Sequence, residues 1–451
     1  MKKNTMAAGV VERVAFPNKA VMEIEGVQVQ VKNALPGQKV EIRLKKKRKN
    51  RWDGEVVKVL EPAPYEIQAP CPVFGVCGGC LYQQMPYGKQ LEMKAAQVQE
   101  LLSSLDTPYP FEGISPSPRE YGYRNKMEYS FGDPFKDGPL TLGMHRRGSM
   151  HDIVDASDCR IVHPDFNRIV EATTAFFRER GIPFYHKRSH EGWLRYLLLR
   201  RGEKTGQLQV NLVTSSQMEV DLAPWVELLG ALPLEHALTG VLHTISDTLS
   251  DAVKPDSTRV LRGELDFHER LLGLDFRISP FSFFQTNSLG AEVLYGVVQE
   301  YVGDMRDKLV YDLYAGTGTI TQLLAGVARK AVGVEIVEEA VEAARRNAAL
   351  NGLEHCEFIA GDVLGVLDSL EEKPDVIVLD PPREGVHHKA LEKILRYGVR
   401  DIVYVSCKPT SLVEDLKLFL EKGYRLERVR CVDLFPSTPH VETVVLLNKH
   451  T

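Results

Sequence analysis

Residues 308–320 read KLVYDLYAGTGTI, and this stretch indicates the architecture of the carboxyl-terminal part of the chain. An apolar run typical of a buried strand leads into Gly316 and Gly318, and a helical pattern follows. Glycines there let the backbone turn sharply and approach a ligand, and an acidic residue about 20 positions further on can bind ribose hydroxyls. Glu335 ends the next predicted strand at that sort of distance.

The same loop argues against two kinds of nucleotide site. It has two of the three dinucleotide glycines, which weakens a nicotinamide site, and no GK[ST] follows, which excludes a phosphate-binding P-loop. An adenosyl ligand without phosphates fits better. A plain tight turn is the alternative that the loop alone leaves open.

Strands and helices alternate after Pro280, which is the signature of a parallel, doubly wound sheet. A helix is predicted over EEAVEAARRNAAL, which Asn351 and Gly352 end. The predicted strands are KLVYDLY, KAVGVEI, CEFIAG, DVIVLD and DIVYVS, and a last pair, YRLERVRCVDLF and HVETVVLL, closes the sheet.

Length and composition indicate a multidomain globular protein. The chain has 451 residues, of which 43% are hydrophobic and 26% charged, and a prior of about 100–200 residues per domain predicts two to four domains. No apolar run is long enough for a membrane span, and no signal-peptide core follows the first lysines. We therefore expect a cytoplasmic protein that does not insert in a membrane.

The amino-terminal region combines short strands with positive charge. Residues 1–60 contain 14 Lys or Arg and 6 Asp or Glu, a balance of +8, whereas the whole chain carries −5. Alternation in VQVQV predicts half-buried strands, and a compact five-stranded barrel fits this length. The basic run RLKKKRKNR, residues 43–51, favours a polyanion-binding surface over a merely solvated face.

The middle of the chain is less regular. EPAPYEIQAP supplies a proline-rich boundary. A helix is predicted over residues 87–105, and strands over YLLLRR and GQLQVNLVTSS suggest an antiparallel-rich region between residues 121 and 276. The expected apolar face of the helix consists of Leu91, Ala95, Val98, Leu102 and Leu105.

Three of the seven cysteines cluster in CPVFGVCGGC, residues 71–80. Because seven is an odd number in a chain expected to be cytosolic, a disulfide framework is not expected. The spacing of Cys71, Cys77 and Cys80 instead predicts a metal site that lacks one ligand of a tetrahedral set.

Two further motifs lie at predicted strand ends. DPPREG, residues 380–385, follows one strand, and its prolines fix the backbone beside the Asp380 carboxylate. The next strand, IVYVSCKPT, ends on Cys407. A buried core thiol is the simpler interpretation of this cysteine, but strand ends are where open α/β sheets place reactive groups, so a nucleophile is the alternative.

Taken in order, these motifs resemble the RNA uracil-C5 methyltransferases that use S-adenosylmethionine. The resemblance covers nearly the whole chain and rests on YRNKMEYSFG, HRRGSMHDIVDASDC, FFQTN, DLYAGTGTI, DPPREG, SCKP and PHVETVVLL. It implies an OB-type TRAM barrel over residues 1–62, an α+β central domain over residues 63–279 and a Rossmann-like class I methyltransferase domain over residues 280–451.

The resemblance also assigns residues to roles. By the family pattern S-adenosylmethionine contacts Gln285, Tyr314, Glu335 and Asp380. Cys407 matches the nucleophile, and Glu442 of PHVET matches the base. Two positions depart from the pattern, since the family more often has cysteine at Ala315 and asparagine at Lys408.

Uracil methylation at carbon 5 needs these residue types. Carbon 5 is not nucleophilic until a thiolate adds at carbon 6, and a carboxylate must later remove the carbon 5 proton. We expect the target base to be flipped out and stacked on an aromatic ring, with Phe283 as the candidate. Cytosine enzymes carry their cysteine after the fourth strand, where this chain has DPPR, and adenine enzymes carry an aromatic residue at the position of Arg383.

The resemblance implies a fourth metal ligand and a substrate. Cys159 matches the fourth cysteine of family members that hold a [4Fe-4S] cluster, and zinc is the alternative that spacing leaves open. Since methyl transfer needs no net electron transfer, we expect a structural or RNA-positioning cluster. Structured RNA is the expected partner of a monomer, with 23S rRNA preferred over tRNA; a non-catalytic RNA-binding assembly factor is the alternative from another class.

Overall fold

The computed structural model describes residues 2–250, 253–370 and 372–449. Contacts divide the chain into two compact units. Unit 1 comprises Met1–Ala69, Leu81–Ser117 and Pro381–Thr451, and unit 2 comprises Pro70–Cys80 and Pro118–Asp380. The predicted three-part division stays a prediction. In the described ranges no helix has the length and apolar character needed to cross a membrane.

Six strands at the start of unit 1 form one sheet in the order β1-β5-β6-β4-β3-β2. They are β1 (Met6–Val10), β2 (Arg13–Ala15), β3 (Lys19–Ile24), β4 (Val27–Val31), β5 (Lys39–Lys47) and β6 (Arg51–Glu61). Val29 and Val31 are buried as their alternation predicts. This strand-rich region fits a β-barrel, but the predicted count of five strands is wrong, because β2 is a separate three-residue strand.

Helix α1 (Tyr87–Leu102) follows, with a 3₁₀ turn at Ser103–Leu105 and strand β7 (Phe111–Ser115). The helix is where the sequence pattern predicts it, but its buried face is different. Of the five expected apolar residues, Val98 and Leu102 are buried. The remaining buried positions are Gln90, Met93, Lys94 and Gln97, so half of the six buried residues of α1 are polar.

Unit 2 begins with a seven-stranded sheet in the order β10-β9-β8-β11-β12-β13-β14, followed by the separate hairpin β15–β16. The elements are β8 (Lys126–Gly132), β9 (Thr141–His145), β10 (Ile153–Asp155), α2 (Pro164–Glu179), β11 (Leu194–Arg201), β12 (Gln207–Thr214), α3 (Ala223–Ala231), β13 (Ala237–Ile245), β14 (Ser257–Gly263), β15 (Phe267–Leu271) and β16 (Leu274–Ile278). All neighbouring pairs in the larger sheet are antiparallel except β12 with β13. The antiparallel-rich prediction is therefore confirmed.

Alternating helices and strands complete unit 2, and its second sheet runs in the order β19-β18-β17-β20. The elements are α4 (Ser288–Val302), β17 (Met305–Leu313), α5 (Thr319–Ala325), β18 (Ala328–Glu335), α6 (Glu338–Leu350), β19 (Cys356–Ala360), α7 (Val363–Val366) and β20 (Val376–Leu379). These strands pair in parallel. The last five residues of β17 and all of β20 are buried, as expected of a sheet covered on both faces.

The end of unit 1 adds strands in the order β21-β23-β22-β7. The elements are α8 (His388–Arg396), β21 (Asp401–Ser406), α9 (Pro409–Glu421), β22 (Tyr424–Val432) and β23 (Glu442–Lys449). Strand β23 pairs antiparallel with both β21 and β22. All seven strands predicted after Pro280 are present in the structure.

Candidate active site

The glycine-rich loop after β17 needs its glycines. Tyr314 has a φ of 79° and Gly318 a φ of 74°, both in the left-handed region that glycine adopts most easily. A Cβ atom on Gly318 would lie 2.5 Å from the ring of Phe358. The chain can therefore turn from β17 into α5 only with glycine at this position.

Glu335 is tied to that loop. Its Oε2 accepts a hydrogen bond from the Gly316 N–H at 2.9 Å, and its Oε1 accepts one from the Val337 N–H at 2.9 Å. These bonds hold the carboxylate at the end of β18. Each oxygen still has lone-pair capacity for a ribose hydroxyl.

Asp380 follows β20 and shares its surroundings with Asp312. Burial, and secondarily the charge of Asp312, raises the pKa of Asp380 to about 7. Burial raises the pKa of Asp312 to about 6, although Thr321 donates a hydrogen bond to its Oδ2 at 2.6 Å, and the charge of Glu335 adds to the rise. Three carboxyl groups that repel one another form an environment in which a cationic ligand is favourable.

Gln285 lies in the FSFFQTN segment before α4. Asn125 holds this segment, because its Nδ2 donates to the carbonyl of Gln285 at 3.2 Å and its N–H to the carbonyl of Thr286 at 2.8 Å. Phe283, the candidate stacking residue, is 68% exposed. Its ring is therefore available to a ligand.

Two cations beside this segment were not singled out from the sequence. Lys126 on β8 pairs in register with Arg200 on β11, and Arg200 donates to the carbonyl of Ser282. Burial lowers the pKa of Arg200 to about 10, and burial together with the charge of Arg200 lowers that of Lys126 to about 8. The YRNK motif contains Lys126, but no sequence signal pairs it with a residue 74 positions further along the chain.

In unit 1, Cys407 and Glu442 adjoin the last pair of the β21–β23 ladder. Ser406 pairs with Thr443 across β21 and β23. Cys407 directly follows the end of β21, and Glu442 is the first residue of β23. Glu442 is 5% exposed and Cys407 is partly exposed, so the carboxyl group is the more enclosed of the two.

Cys407 directly precedes the N-cap residue of helix α9. Lys408 is the N-cap of α9 and Pro409 its first residue, so the thiol lies at a helix N-terminus, where the backbone N–H groups favour negative charge. Asp415 of α9 accepts hydrogen bonds from the Val386 N–H at 2.9 Å and from the Tyr404 hydroxyl at 2.5 Å. These bonds fix the chain that follows DPPREG against β21 and α9.

The four predicted metal ligands all belong to unit 2. Burial raises the pKa of Cys159 to about 12, and the other three thiols add to the rise. The Gly79 N–H donates to the Cys77 sulfur at 3.4 Å, and the Gly78 N–H donates to the carbonyl of His145 at 2.9 Å. Mutual electrostatic influence and N–H···S bonding are features of thiolate metal sites.

The spacing of these sulfurs does not match a closed zinc tetrahedron. In such a site Zn–S bonds of about 2.3 Å put the sulfurs about 3.8 Å apart. In the part of the chain that the structure describes, the one group of three or more potential ligands within 4.8 Å of one another is His163, Asp165 and His236. The four cysteine sulfurs do not form such a closed set in the described residues.

The His163–Asp165–His236 group is itself explained without a metal. Asp165 accepts hydrogen bonds from Arg168 at 2.7 Å and from the Glu235 N–H at 3.0 Å on Oδ1, and from the His236 ring at 2.8 Å on Oδ2. Burial opposes ionisation, but these hydrogen bonds leave the pKa of Asp165 lowered. The group is a hydrogen-bonded network at the start of α2, and we assign it no metal.

The parallel sheet, glycine-rich loop and acidic strand ends of unit 2 define a class I methyltransferase fold that uses S-adenosylmethionine. A methyltransferase-domain family model matches residues 310–400, and the family model of tRNA (uracil-5-)-methyltransferases matches residues 365–450.

Relatives match the chain over its whole length. An uncharacterised RNA methyltransferase of Clostridium tetani is 49% identical over 441 residues, which covers 97% of this chain and 96% of the relative. Another from Caldanaerobacter subterraneus is 47% identical over 450 residues and covers 100% of both chains.

Among solved structures, the Pyrococcus abyssi tRNA (uracil-54, C5)-methyltransferase in complex with S-adenosyl-L-homocysteine has a TM-score of 0.77 and 27% identity, covering 98% of this chain and 100% of that one. The chain belongs to the S-adenosylmethionine-dependent RNA uracil-C5 methyltransferase family. It is a methyltransferase that acts on RNA.

Proposed function

We propose that this enzyme transfers a methyl group from S-adenosylmethionine to carbon 5 of a specific uridine in RNA and that Cys407 and Glu442 carry the reaction. The observation that supports the proposal is the end of the β21–β23 ladder at Ser406 and Thr443, the residues directly before Cys407 and directly after Glu442. Uracil methylation at carbon 5 requires this pair of groups.

Cys407 acts first. Its thiolate forms a bond to carbon 6 of the uracil, and the displaced electron pair moves into the enolate that extends from carbon 5 to the carbonyl oxygen on carbon 4. S-adenosylmethionine supplies an electrophilic methyl group on a sulfonium centre. Carbon 5 bonds to this methyl carbon while the bond from the methyl carbon to sulfur breaks, and S-adenosylhomocysteine leaves. The helix N-terminus beside Cys407 favours the thiolate at the start and again as the leaving group.

Glu442 acts last. Its carboxylate takes the proton from carbon 5, the electron pair of that C–H bond restores the double bond between carbons 5 and 6, and the thiolate of Cys407 leaves. Because Glu442 is buried, water does not compete for the carboxylate during this step.

Four residues of unit 2 are proposed to hold the methyl donor. Glu335 is placed to bind the ribose hydroxyls, and Asp380, in its carboxyl-rich surroundings, favours the sulfonium charge. Tyr314 and Gln285 complete the set by the family pattern.

RNA contacts are proposed at three places. The basic hairpin at the β5–β6 connection and the partly exposed Lys126 supply positive charge for phosphates. Phe283 offers its exposed ring for stacking on the flipped base.

Cys71, Cys77, Cys80 and Cys159 are proposed to hold a [4Fe-4S] cluster. Two observations support this assignment. The charges of the other three thiols contribute to the raised pKa of Cys159, and the Gly79 N–H donates to the Cys77 sulfur. Methyl transfer to uracil moves no net electrons, so the proposed role is structural. Anaerobically purified protein should be brown with broad absorbance near ~400 nm, whereas stoichiometric zinc without iron would contradict the assignment.

We propose 23S rRNA as the substrate, because the family members with this cysteine pattern lean towards ribosomal RNA. Transfer RNA is the second candidate, since the similar Pyrococcus abyssi structure is a tRNA (uracil-54, C5)-methyltransferase.

Mapping 5-methyluridine in rRNA and tRNA from a strain lacking the gene distinguishes the two substrates. Complementation with the wild-type gene should restore the missing nucleotide, and complementation with Cys407→Ala should not. An unchanged 5-methyluridine map in both RNAs would contradict the proposed function.

A further inference from the structure

Three of the six buried residues of α1 are polar. Gln90 and Lys94 are 0% exposed and Gln97 is 2% exposed, at positions that share one helix face. Burying polar groups costs free energy unless each is hydrogen-bonded. This face therefore specifies particular contacts instead of filling an apolar core.

Lys94 makes the first of these contacts. Its Nζ lies 2.7 Å from Asp433 Oδ1 and donates to the carbonyl of Phe435 at 3.1 Å. Neither side chain of the ion pair is exposed. Because an apolar pair of similar volume is often as stable as a buried ion pair, the pair is better explained by the position it imposes on the Asp433 turn than by stability.

Gln90 makes the second contact. Its Nε2 donates to the carbonyls of Tyr82 at 3.1 Å and Met85 at 2.9 Å, while its Oε1 accepts a hydrogen bond from the Ser437 N–H at 2.7 Å. One side chain thus joins the segment before α1 to the turn that contains Ser437. Ser437 has a φ of 65°, so its backbone is held in an uncommon conformation.

The turn held by these contacts leads into the proposed base. Residues 433–441 connect β22 to β23, and Glu442 is the first residue of β23. The Asp433 N–H also donates to the carbonyl of Ser115 at 2.9 Å. Because the turn is fixed at both Asp433 and Ser437, the position at which β23 begins is fixed with it.

The same turn is tied to the chain that follows the cysteine cluster. The carbonyl of Ser437 accepts hydrogen bonds from the N–H groups of Leu81 at 2.8 Å and Tyr82 at 3.1 Å. Leu81 is the residue directly after Cys80. If Cys80 is held in place, the next residue, Leu81, is restrained as well. The N–H group of Leu81 is one of the two donors that hold the turn before Glu442.

We propose that Gln90, Lys94, Asp433 and Ser437 form a base clamp that positions Glu442, and that a metal group held by Cys80 keeps the clamp closed. The inference rests on the proposed function. The clamp acts on the last step alone, in which Glu442 takes the carbon 5 proton and the thiolate of Cys407 leaves. Opening the clamp should slow this step while leaving addition and methyl transfer intact.

Two variants test the clamp. Gln90→Met removes the bridge to Ser437, and Lys94→Met/Asp433→Leu replaces the ion pair by apolar side chains. With ordinary uridine RNA and S-adenosylmethionine, each should transfer methyl groups in a single turnover but release product at least about tenfold more slowly. A covalent protein–RNA band should therefore accumulate on a denaturing gel.

Tyr424→Phe is the matched control. It removes a buried hydrogen bond, from the Tyr424 hydroxyl to the carbonyl of Val399 at 2.7 Å, at the other end of β22. The Tyr424→Phe enzyme should complete the reaction without accumulating a covalent protein–RNA band. The clamp proposal is overturned if the clamp variants release product as fast as this control, or if they lose methyl transfer and adduct together.

The metal dependence has a readout that does not need activity. Backbone hydrogen exchange is compared in anaerobically purified wild-type protein before and after removal of its metal with a chelator. The N–H groups of Leu81, Tyr82 and Ser437 should exchange faster without metal, whereas that of Val429, bonded to the carbonyl of Pro110 at 3.0 Å, should not change. Unchanged exchange at the first three, or an equal increase at Val429, would overturn the coupling.

A separate control distinguishes failure of the clamp from failure of the proposed function. Wild-type enzyme should form a covalent band with 5-fluorouridine RNA, because fluorine cannot leave as a proton does. If that band is absent, the proposed chemistry is wrong. If it is present and the clamp variants behave as wild type with ordinary RNA, the chemistry stands and the clamp is wrong.

Discussion

The proposed cofactor residues and the Cys407–Glu442 pair both lie at strand ends, but they are positioned in different ways. Tyr314 follows β17, Glu335 ends β18 and Asp380 follows β20, so each depends on one strand and the few residues after it. Cys407 and Glu442 are 35 positions apart, and both adjoin the Ser406–Thr443 pair that ends the antiparallel β21–β23 ladder.

This difference separates binding from covalent chemistry. A substitution in a cofactor loop changes one interaction with the methyl donor and leaves the thiol and its partner in place. A substitution in the strand pair leaves the donor site intact and removes one covalent step. In the proposed reaction the two members of the pair act at opposite ends, so their losses should be distinguishable from each other as well.

Cys407→Ala should have the largest effect. Without the thiolate no carbon 6 adduct forms, and methyl transfer should fall by at least about 10⁴-fold. Binding of S-adenosylhomocysteine, measured by calorimetry, should be unchanged, because the proposed donor residues lie on other strands. Turnover near the wild-type rate would mean that the thiol is core packing and that the pairing of strand ends has no catalytic meaning.

Glu442→Gln should fail later in the reaction. The amide keeps the shape of the side chain but cannot take the carbon 5 proton, so release should slow by about 10²–10⁴-fold. A covalent RNA band should appear on a denaturing gel with ordinary uridine RNA, and Cys407→Ala/Glu442→Gln should lack it. Normal turnover without an adduct would place the base elsewhere.

Much of this arrangement is readable from the sequence because its signals are local. The buried strands after Pro280 are continuous apolar runs, and the loop glycines and DPPREG stand beside the strands they follow. Strand predictions made from such runs match β17–β23 in the structure. The short strand β2 is not predicted, because three residues give too little alternation to detect.

Interactions between residues that are far apart in the sequence cannot be predicted from local patterns in the same way. Lys94 and Asp433 are 339 positions apart, and an amphipathic reading of α1 assigns its buried face to apolar residues. Lys126 and Arg200 meet through the β8–β11 register. The presence of Gln90, Lys94 and Gln97 on one helix face is the signal that could have suggested buried polar interactions.

Asp380 should give the donor site a pH dependence. Its pKa is raised to about 7, so the carboxylate that favours a sulfonium forms as the pH rises through that value. The affinity for S-adenosylmethionine should therefore increase between about pH 6 and pH 8, by up to about tenfold. S-adenosylhomocysteine, which lacks the sulfonium charge, is the matched ligand and should show a weaker dependence.

Asp380→Asn is the matched protein control for that measurement. It should flatten the pH dependence for S-adenosylmethionine and weaken its binding at pH 8, as measured by calorimetry. The single-turnover rate at saturating donor should fall less than in Cys407→Ala. Equal pH profiles for the two ligands would remove Asp380 from the sulfonium site and leave it a buried structural acid.

The smallest effect is expected at the basic hairpin, which acts before both donor binding and covalent chemistry. Deleting the barrel is not a clean test, because the Gln97 side chain donates to the carbonyl of Val14 at 2.9 Å and the Tyr82 hydroxyl to that of Pro17 at 2.9 Å. Truncation would leave both donors on or beside α1 without partners. Substitutions of exposed lysines avoid this damage.

Within the hairpin the charges are not equivalent. Lys45 pairs with Glu55 at 2.8 Å and Arg48 with Asp53 at 2.7 Å. Lys46, Lys47 and Lys49 make no ion pair with any residue of the described ranges. These three charges are the ones available to displace counterions from RNA.

Replacing Lys46, Lys47 and Lys49 by glutamine should therefore weaken RNA binding and reduce the slope of log affinity against log salt. The slope should fall by about 0.7–0.9 for each phosphate that the variant no longer neutralises. Lys45→Gln/Arg48→Gln is the matched control and should change the slope less per charge, because these side chains are already paired with carboxylates. Single-turnover rates at saturating RNA should stay at the wild-type value in both variants, since neither the donor loops nor the strand pair is altered. An unchanged salt slope in the triple variant would mean that the hairpin is only a solvated face and that RNA is held elsewhere, with the partly exposed Lys126 as the next place to test.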